Sequence, residues 1–238
     1  MLFNAVCMAF ALVLLLPVST INGFPSIYTL VMGIAFGIVT VLSQHVFTLA
    51  LQTGPLSFST LFQSFSLVLP TLGGVVIWQE SITPWQVIGL VLLVISFVLI
   101  ANPKADASVT GRWLFYGVLS FLLSGVFGLI QKFHQSSSHK HELDEFLIVA
   151  FMTAALCFLL LFIRNRRLKG IPLSFSMKSK VLVMAALCGI CLGACNKLSL
   201  YLIGVMPSVI FFPLVNGGNV VCSALVALIV FRERPRPV

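Results

Sequence analysis

Charge is what this chain has least of. Asp, Glu, Lys and Arg make up 8% of its 238 residues, against roughly 25% in an average soluble domain, while hydrophobic residues reach 59%. A chain of that balance cannot cover itself with polar surface, so its solvent must largely be lipid. Carboxylates are scarcest: Glu80, Asp106, Glu142, Asp144, Glu145 and Glu233 are the whole set. Each falls at an expected helix end or in a loop, which disfavours a carboxylate–metal enzyme within the membrane and equally a proton relay through an intramembrane acid. Neither a glycine-rich phosphate loop nor a GxSxG elbow occurs. The chain therefore reads as a non-enzyme without a metal site or cofactor. A small-x-small cleavage site is missing as well. Pro17-Val18-Ser19 follows an apolar stretch with no basic residue before it, so 1–18 is expected to remain as a helix rather than be removed as a signal peptide.

What is present is length of apolar run. Eight segments near the ~20 residues that a bilayer demands stand at 1–18, 27–51, 55–78, 84–101, 112–133, 143–163, 180–204 and 207–231. They are continuous in Leu, Val, Phe and Ile rather than alternating, which predicts helices and not strands, because a helix satisfies its own backbone in lipid. The expected class is all-α, a polytopic membrane helix bundle. Trp78, Trp85 and Trp113 lie where interfacial anchors belong.

The formal charge of +8 is no nucleic-acid signal, because the basic residues sit between membrane helices. Arg164, Arg166, Arg167, Lys169, Lys178 and Lys180 share one loop, Lys104 and Arg112 flank another, and Arg232, Arg234 and Arg236 stand at the end. In an eight-helix chain all eleven fall on one side. The other side has Lys132 and Lys140, beside Glu142, Asp144 and Glu145. The bias places loop 164–180 in the cytoplasm, in a plasma or inner membrane. His134, His139 and His141 form a Ser- and Lys-flanked stretch that reads as a solvated loop or an adventitious metal site. Cys188, Cys191 and Cys195 share a helix face, as small packing residues or as a metal or redox site.

The chain also repeats itself. Shifted by 152 residues, Val31-Met32 falls on Val183-Met184, Gly37 on Gly189, Gln44 on Asn196, His45 on Lys197 and Pro55 on Pro207; with one residue more, Glu80 falls on Glu233. Leu2 to Leu16 runs in step with Leu147 to Leu161. An odd number of crossings separates the copies, so they should be related by a pseudo-two-fold axis in the membrane plane, the mark of a transporter built from inverted repeats. Gly33-x-x-x-Gly37 and Gly189-x-x-x-Gly193 suit close helix packing in both halves. Pro70 and Pro213 should kink corresponding helices and free carbonyls toward a cavity.

Gly54-Pro55, a long helix to Trp78-Gln79-Glu80-Ser81-Ile82-Thr83, then Gln86-x-x-Gly89 and an apolar run, resembles the end of an EamA-type repeat of the drug/metabolite transporter superfamily. The signature recurs from Val205-Met206-Pro207 to Phe231-Arg232-Glu233-Arg234, and the resemblance covers nearly the whole chain. It implies a ten-helix carrier with two repeats, here 1–103 and 112–238, each lacking its outer helix, so that the chain is expected to be a fragment or a shortened form. The family usually keeps its ends in the cytoplasm, which would put loop 164–180 outside; the charge count of this sequence puts it inside.

The candidate transport site follows from polar residues held in apolar helices. Lys197 is the sharpest, since a cation in hydrocarbon costs roughly 2.5–3.5 kcal/mol; it either faces a central cavity or snorkels to the interface. His45, Gln44 and Asn196 stand at matched depth. Gln63 with Ser64 and Ser66, and Asn216 with Asn219, either bind solute or tie helices together. Substrate-binding residues are thus expected at Lys197, His45, Gln44, Asn196, Gln63 and Asn216, and the cation suits an anionic metabolite. The expected function is a carrier moving a small organic metabolite or drug by alternating access; the alternative is a non-transporting membrane scaffold or truncated assembly partner.

Overall fold

The computed structural model describes residues 1–19, 23–100, 110–170 and 178–229. Lys104, Asp106, Arg232, Glu233, Arg234 and Arg236, with the second Pro-to-Glu spacing, lie outside the described residues. The helices are α1 (Leu2–Val18), α2 (Ile27–Thr53), α3 (Leu56–Phe65), α4 (Val68–Ile77), α5 (Pro84–Ile100), α6 (Gly111–Gln135), α7 (Leu143–Leu168), α8 (Ser179–Val205) and α9 (Ser208–Ile229), and no strand occurs among the described residues. Among the described residues, five spans are long and apolar enough to cross a membrane: α2, the stretch Phe58–Ile77, α6, α7 and α8. At 17 residues each, α1 and α5 reach only about 26 Å at 1.5 Å per residue, short of a ~30 Å hydrocarbon layer.

Local chemistry sets the ends. Ser26 caps α2 by accepting from Thr29 N–H at 3.2 Å, and Thr110 caps α6 by accepting from Trp113 N–H at 3.3 Å. Both α2 and α8 stop just before an X-Pro pair, Gly54-Pro55 and Met206-Pro207, where the residue preceding proline is pushed out of the helical region. Their bounds lie 152 residues apart at both ends, the shift at which the two halves register in sequence.

The single helix expected over 55–78 is broken at Ser66-Leu67. Pro70 is the cause: it has no N–H to give the Ser66 carbonyl. That carbonyl instead accepts from Leu69 N–H at 3.2 Å in a tighter turn, and Thr71 N–H goes to Leu67 O at 3.1 Å. The kink expected at Pro70 is thus a break, and the carbonyl it strands is taken up again rather than left free. Pro213 sits inside α9 without interrupting it.

The core belongs to neither half alone. α7 is packed between α1 and α2, and α8 lies against α1. Phe146, Leu147, Ala150, Phe151, Ala154 and Phe158 of α7 meet Met8, Ala11 and Leu15 of α1 and Phe36 and Val41 of α2. Small residues make this possible. A Cβ on Gly37 would stand 2.6 Å from Ala150 O, and one on Gly33 2.9 Å from Val149 Cγ1, both on α7. Gly189 and Gly193 press in the same way on the backbone of Cys7 and Ala11 in α1. Buried Cys7, Met8, Ala11 and Leu15 match buried Ala150, Phe151, Ala154 and Phe158 at a shift of 143 residues. The expected pairing of Leu2–Leu16 with Leu147–Leu161 is two residues out of register, because matching apolar letters does not identify the inward face.

Contacts sort the ends of the bundle. Ser26 meets Glu142, and Lys132 meets Glu80, at one end; Trp113 covers Gly54 and bonds Ser59 at the other. Alternation along the chain puts Arg112, Arg164, Arg166, Arg167, Lys169, Lys178 and Lys180 with the latter group. Trp113 is not the interfacial anchor expected: it is buried, its indole N–H donates to Ser59 Oγ at 2.9 Å, and Phe62 meets it edge-on at 5.8 Å. Trp85 is the exposed one, at 82%.

Gly37→Leu should force α2 off α7 and cost about 1–3 kcal/mol, the range for overpacking. Gly89→Leu, where nothing lies within 4 Å, should leave the protein unchanged; thermal unfolding in detergent compares the two.

Candidate functional site

A cavity of about 470 Å³ opens between α2, α3, α4, α6, α8 and α9. Its polar wall comes from Thr40, Ser43 and Gln44 on α2, Gln63 and Ser64 on α3, Ser66 in the break that follows, Ser124 and Gln131 on α6, Cys195, Asn196 and Ser199 on α8, and Asn216 and Asn219 on α9. Phe127, Phe211, Phe212 and Pro70 supply the apolar part. The break at Ser66-Leu67 positions α3, since the tight turn stands in the cavity wall.

Four of the six expected site residues meet here: Gln44, Gln63, Asn196 and Asn216. Lys197 and His45 are not among the lining residues. Ser43 with Gln44, and Cys195 with Asn196, share the inward faces, and at about 100° per residue the next residues, His45 and Lys197, turn away from the cavity. Lys197 Nζ lies 2.8 Å from Asp144 Oδ1 of α7 and donates to Val18 O at 3.0 Å, where α1 ends. It neither faces the cavity nor snorkels alone; it meets an acid at the edge of the bundle. His45 is half-buried on α2. Ser124, Phe127, Gly128 and Gln131 were overlooked in the sequence, although their i, i+3, i+4, i+7 spacing marks one face of α6.

The wall's hydrogen bonds decide what it offers. Asn196 Nδ2 donates to Leu192 O at 2.9 Å and Asn216 Nδ2 to Phe212 O at 3.0 Å. Ser66 Oγ–H goes to Gln63 O at 2.6 Å and Thr40 Oγ1–H to Phe36 O at 2.7 Å. Ser43 and Ser124 hydroxyls bond each other at 2.8 Å, and Asn4 Nδ2 donates to Gln44 Oε1 at 3.2 Å. Gln63 Oε1 is buried and has no donor among the described residues. Among the described residues, no Lys, Arg, His, Asp or Glu lines the cavity.

Beside it, a charge pair closes the α8–α9 corner. Lys132 Nζ lies 2.9 Å from Glu80 Oε1, with both side chains nearly buried. Lys132 donates to the α8 terminal carbonyls Ile203 O and Met206 O at 3.5 and 3.4 Å. Glu80 accepts from Ser208 Oγ–H and Val209 N–H at the start of α9, both at 3.2 Å. Each charge thus meets the end of the helix dipole that suits it. Burial raises the Glu80 carboxyl, but the Lys132 ammonium and the donors on Ser208 and Val209 outweigh it and hold it below the ordinary range.

The histidine stretch does not form one solvated loop. His134 is fully buried in the last turn of α6, 3.2 Å from Thr29 Oγ1 and with its ring 4.4 Å from that of Phe146. His139 is half-buried, stacked on Tyr28, and His141 is exposed. Glu142 is held down to about 2, first by the Thr29 hydroxyl, against opposing desolvation, and by the N–H and hydroxyl of Ser26. Cys188, Cys191 and Cys195 stand on an exposed face of α8 rather than in packing, and no group of three His, Cys, Asp or Glu among the described residues is placed to hold a metal ion.

Lys197→Leu leaves Asp144 without its cation and should destabilise the protein by roughly 1–3 kcal/mol, below the 3–5 of a fully buried pair, because the Lys197 side chain is 30% exposed. Lys197→Leu with Asp144→Leu should recover most of that. Thermal midpoints of the two singles and the double measure the coupling.

No known family model matches the chain, and neither does any curated protein.

Proposed function

We propose that the chain is an integral membrane carrier that moves a small organic solute through this cavity by alternating access, with two EamA-like repeats of inverted topology. One observation carries it: a polar cavity of small-molecule size, walled by corresponding helices of both halves, stands in a chain whose residues are 59% hydrophobic. Polar side chains at matched depth are costly in lipid and well served around water or solute. The repeat is supported by the shared bounds of α2 and α8 and by the crossed glycine seats, α2 on α7 and α8 on α1. Such seats let helices slide with little change in contact. The anionic solute expected from Lys197 loses its support, because that charge is matched by Asp144 outside the lining.

A second reading, an assembly partner, is favoured by α8. Where α2 buries Phe36 against α6, the corresponding Cys188 of α8 is exposed, as are Leu187 and Tyr201 at 59% each.

The carrier reading expects saturable uptake into proteoliposomes from a radiolabelled panel of hexoses, aromatic amides and carboxylates, accelerated by the same solute on the far side. Asn216→Leu should lower the rate at least tenfold, whereas Leu214→Ala, at an exposed position, should leave it unchanged. No saturable uptake of any panel member would reject the carrier and favour the assembly partner.

Orientation rests on the basic residues gathered at one end, which are costly to translocate; we place loop 164–180 in the cytoplasm. With Ser174→Cys in an otherwise cysteine-free chain, an impermeant thiol reagent should label only permeabilised cells. Labelling of intact cells reverses the orientation.

A further inference from the structure

We infer that the cavity takes an uncharged solute carrying several N–H or O–H donors and rejects carboxylates; this rests on the carrier reading of the same cavity. A backbone carbonyl can only accept. The amide atoms of Asn196 and Asn216 that point at Leu192 O and Phe212 O are therefore the NH₂ groups. Their Oδ1 atoms are what each side chain has left to offer. The hydroxyl protons of Thr40 and Ser66 are likewise spent on helix carbonyls. Gln63 Oε1 adds a buried acceptor that receives nothing from the described residues. Gln44 is the counterweight: its Oε1 is occupied by Asn4, which leaves its NH₂ as a donor. Among the amides and hydroxyls whose partners are shown, the balance is toward oxygen acceptors.

Charge points the same way. An anion needs donors or a cation, and both nearby lysines are committed, Lys197 to Asp144 and Lys132 to Glu80. A carboxylate entering the cavity would meet these lone pairs with no cation beside them, and the Gln44 NH₂ and the serine hydroxyls would replace only part of its hydration. A cation would find carbonyl oxygens and the rings of Phe127, Phe211 and Phe212, but no carboxylate in the lining to neutralise it. An uncharged solute loses least on desolvation, and its donors can fill acceptors such as Gln63 Oε1, which receives nothing from the described residues. A polar site discriminates most strongly in that situation, because a ligand lacking the donor leaves the buried acceptor unsatisfied.

The test uses the purified full chain and two near-isosteric series that change charge on a constant frame: glucose, glucuronate and glucosamine; benzamide, benzoate and benzamidine. Equilibrium binding in detergent and hexose uptake into proteoliposomes are measured in parallel. The uncharged member of at least one series should bind at least tenfold more tightly than its carboxylate. Gln63→Leu should weaken that binding about tenfold, while Gln63→Glu, which keeps the acceptor, should retain it. Tighter binding of the carboxylate or of the cation in both series overturns the class, as does unchanged binding in a folded Gln63→Leu, or no binding of either uncharged probe. Binding of an uncharged hexose without uptake overturns the carrier and leaves the class; saturable uptake of glucuronate over glucose overturns the class and leaves the carrier.

Discussion

A lysine inside a bundle of this composition must meet an acid, because the apolar surroundings can neither hydrate it nor screen it. Lys197 and Lys132 each obey that constraint, and the partners they find determine the rest of the structure. Asp144, in the first turn of α7, draws the flank of α8 to the junction of α1 and α7. Glu80, just past α4, draws the last turn of α6 to the α8–α9 corner. With both cations matched at the edge of the bundle, the space between α2, α3, α8 and α9 is left to amides, hydroxyls and phenyl rings. Removing charge from the centre is thus achieved by the pairing at one end.

The second constraint is steric. Two backbone-on-backbone contacts, Gly37 on Ala150 and Gly189 on Cys7, set how near the halves stand. Each joins a helix of one half to a helix of the other, so neither half has a core without its counterpart. Close approach of this kind lets main chains pack in lipid, where burial of apolar side chains supplies little drive. The same approach leaves the polar faces of α2 and α8 turned toward a shared space rather than toward their own halves.

Much of this was readable in the chain because each clue is local. Helix bounds over 27–51 and 180–204 are met within a few residues by α2 and α8, since Ser26, Gly54-Pro55 and Met206-Pro207 act on their own neighbours. The rule that proline cannot serve the carbonyl four residues back would have put the break at Ser66, and a smooth kink was expected instead. What could not be read is azimuth. Gln44 and His45, or Asn196 and Lys197, lie at one depth, and helices apolar all round carry no stripe to tell which neighbour faces inward. Choosing Lys197 for the cavity used depth and charge, whereas the outcome depended on Asp144, 53 residues earlier. Trp113 and His134 were misjudged for the same reason: Ser59 and Thr29, the groups that make their burial tolerable, lie 54 and 105 residues away.

The break at Ser66-Leu67 divides one membrane crossing into two ten-residue rods. Treated as a rigid lever, α4 is about 15 Å long at 1.5 Å per residue, so a 10° swing at its pivot carries its far tip through roughly 2.6 Å. Just past the tip stands Glu80, which is fastened to the start of α9 directly and to the end of α8 through Lys132. A rotation too small to disturb the side chains at the pivot would therefore be delivered as a full step to a corner two helices away. The crossing that was broken to accommodate one proline has the proportions of a crank.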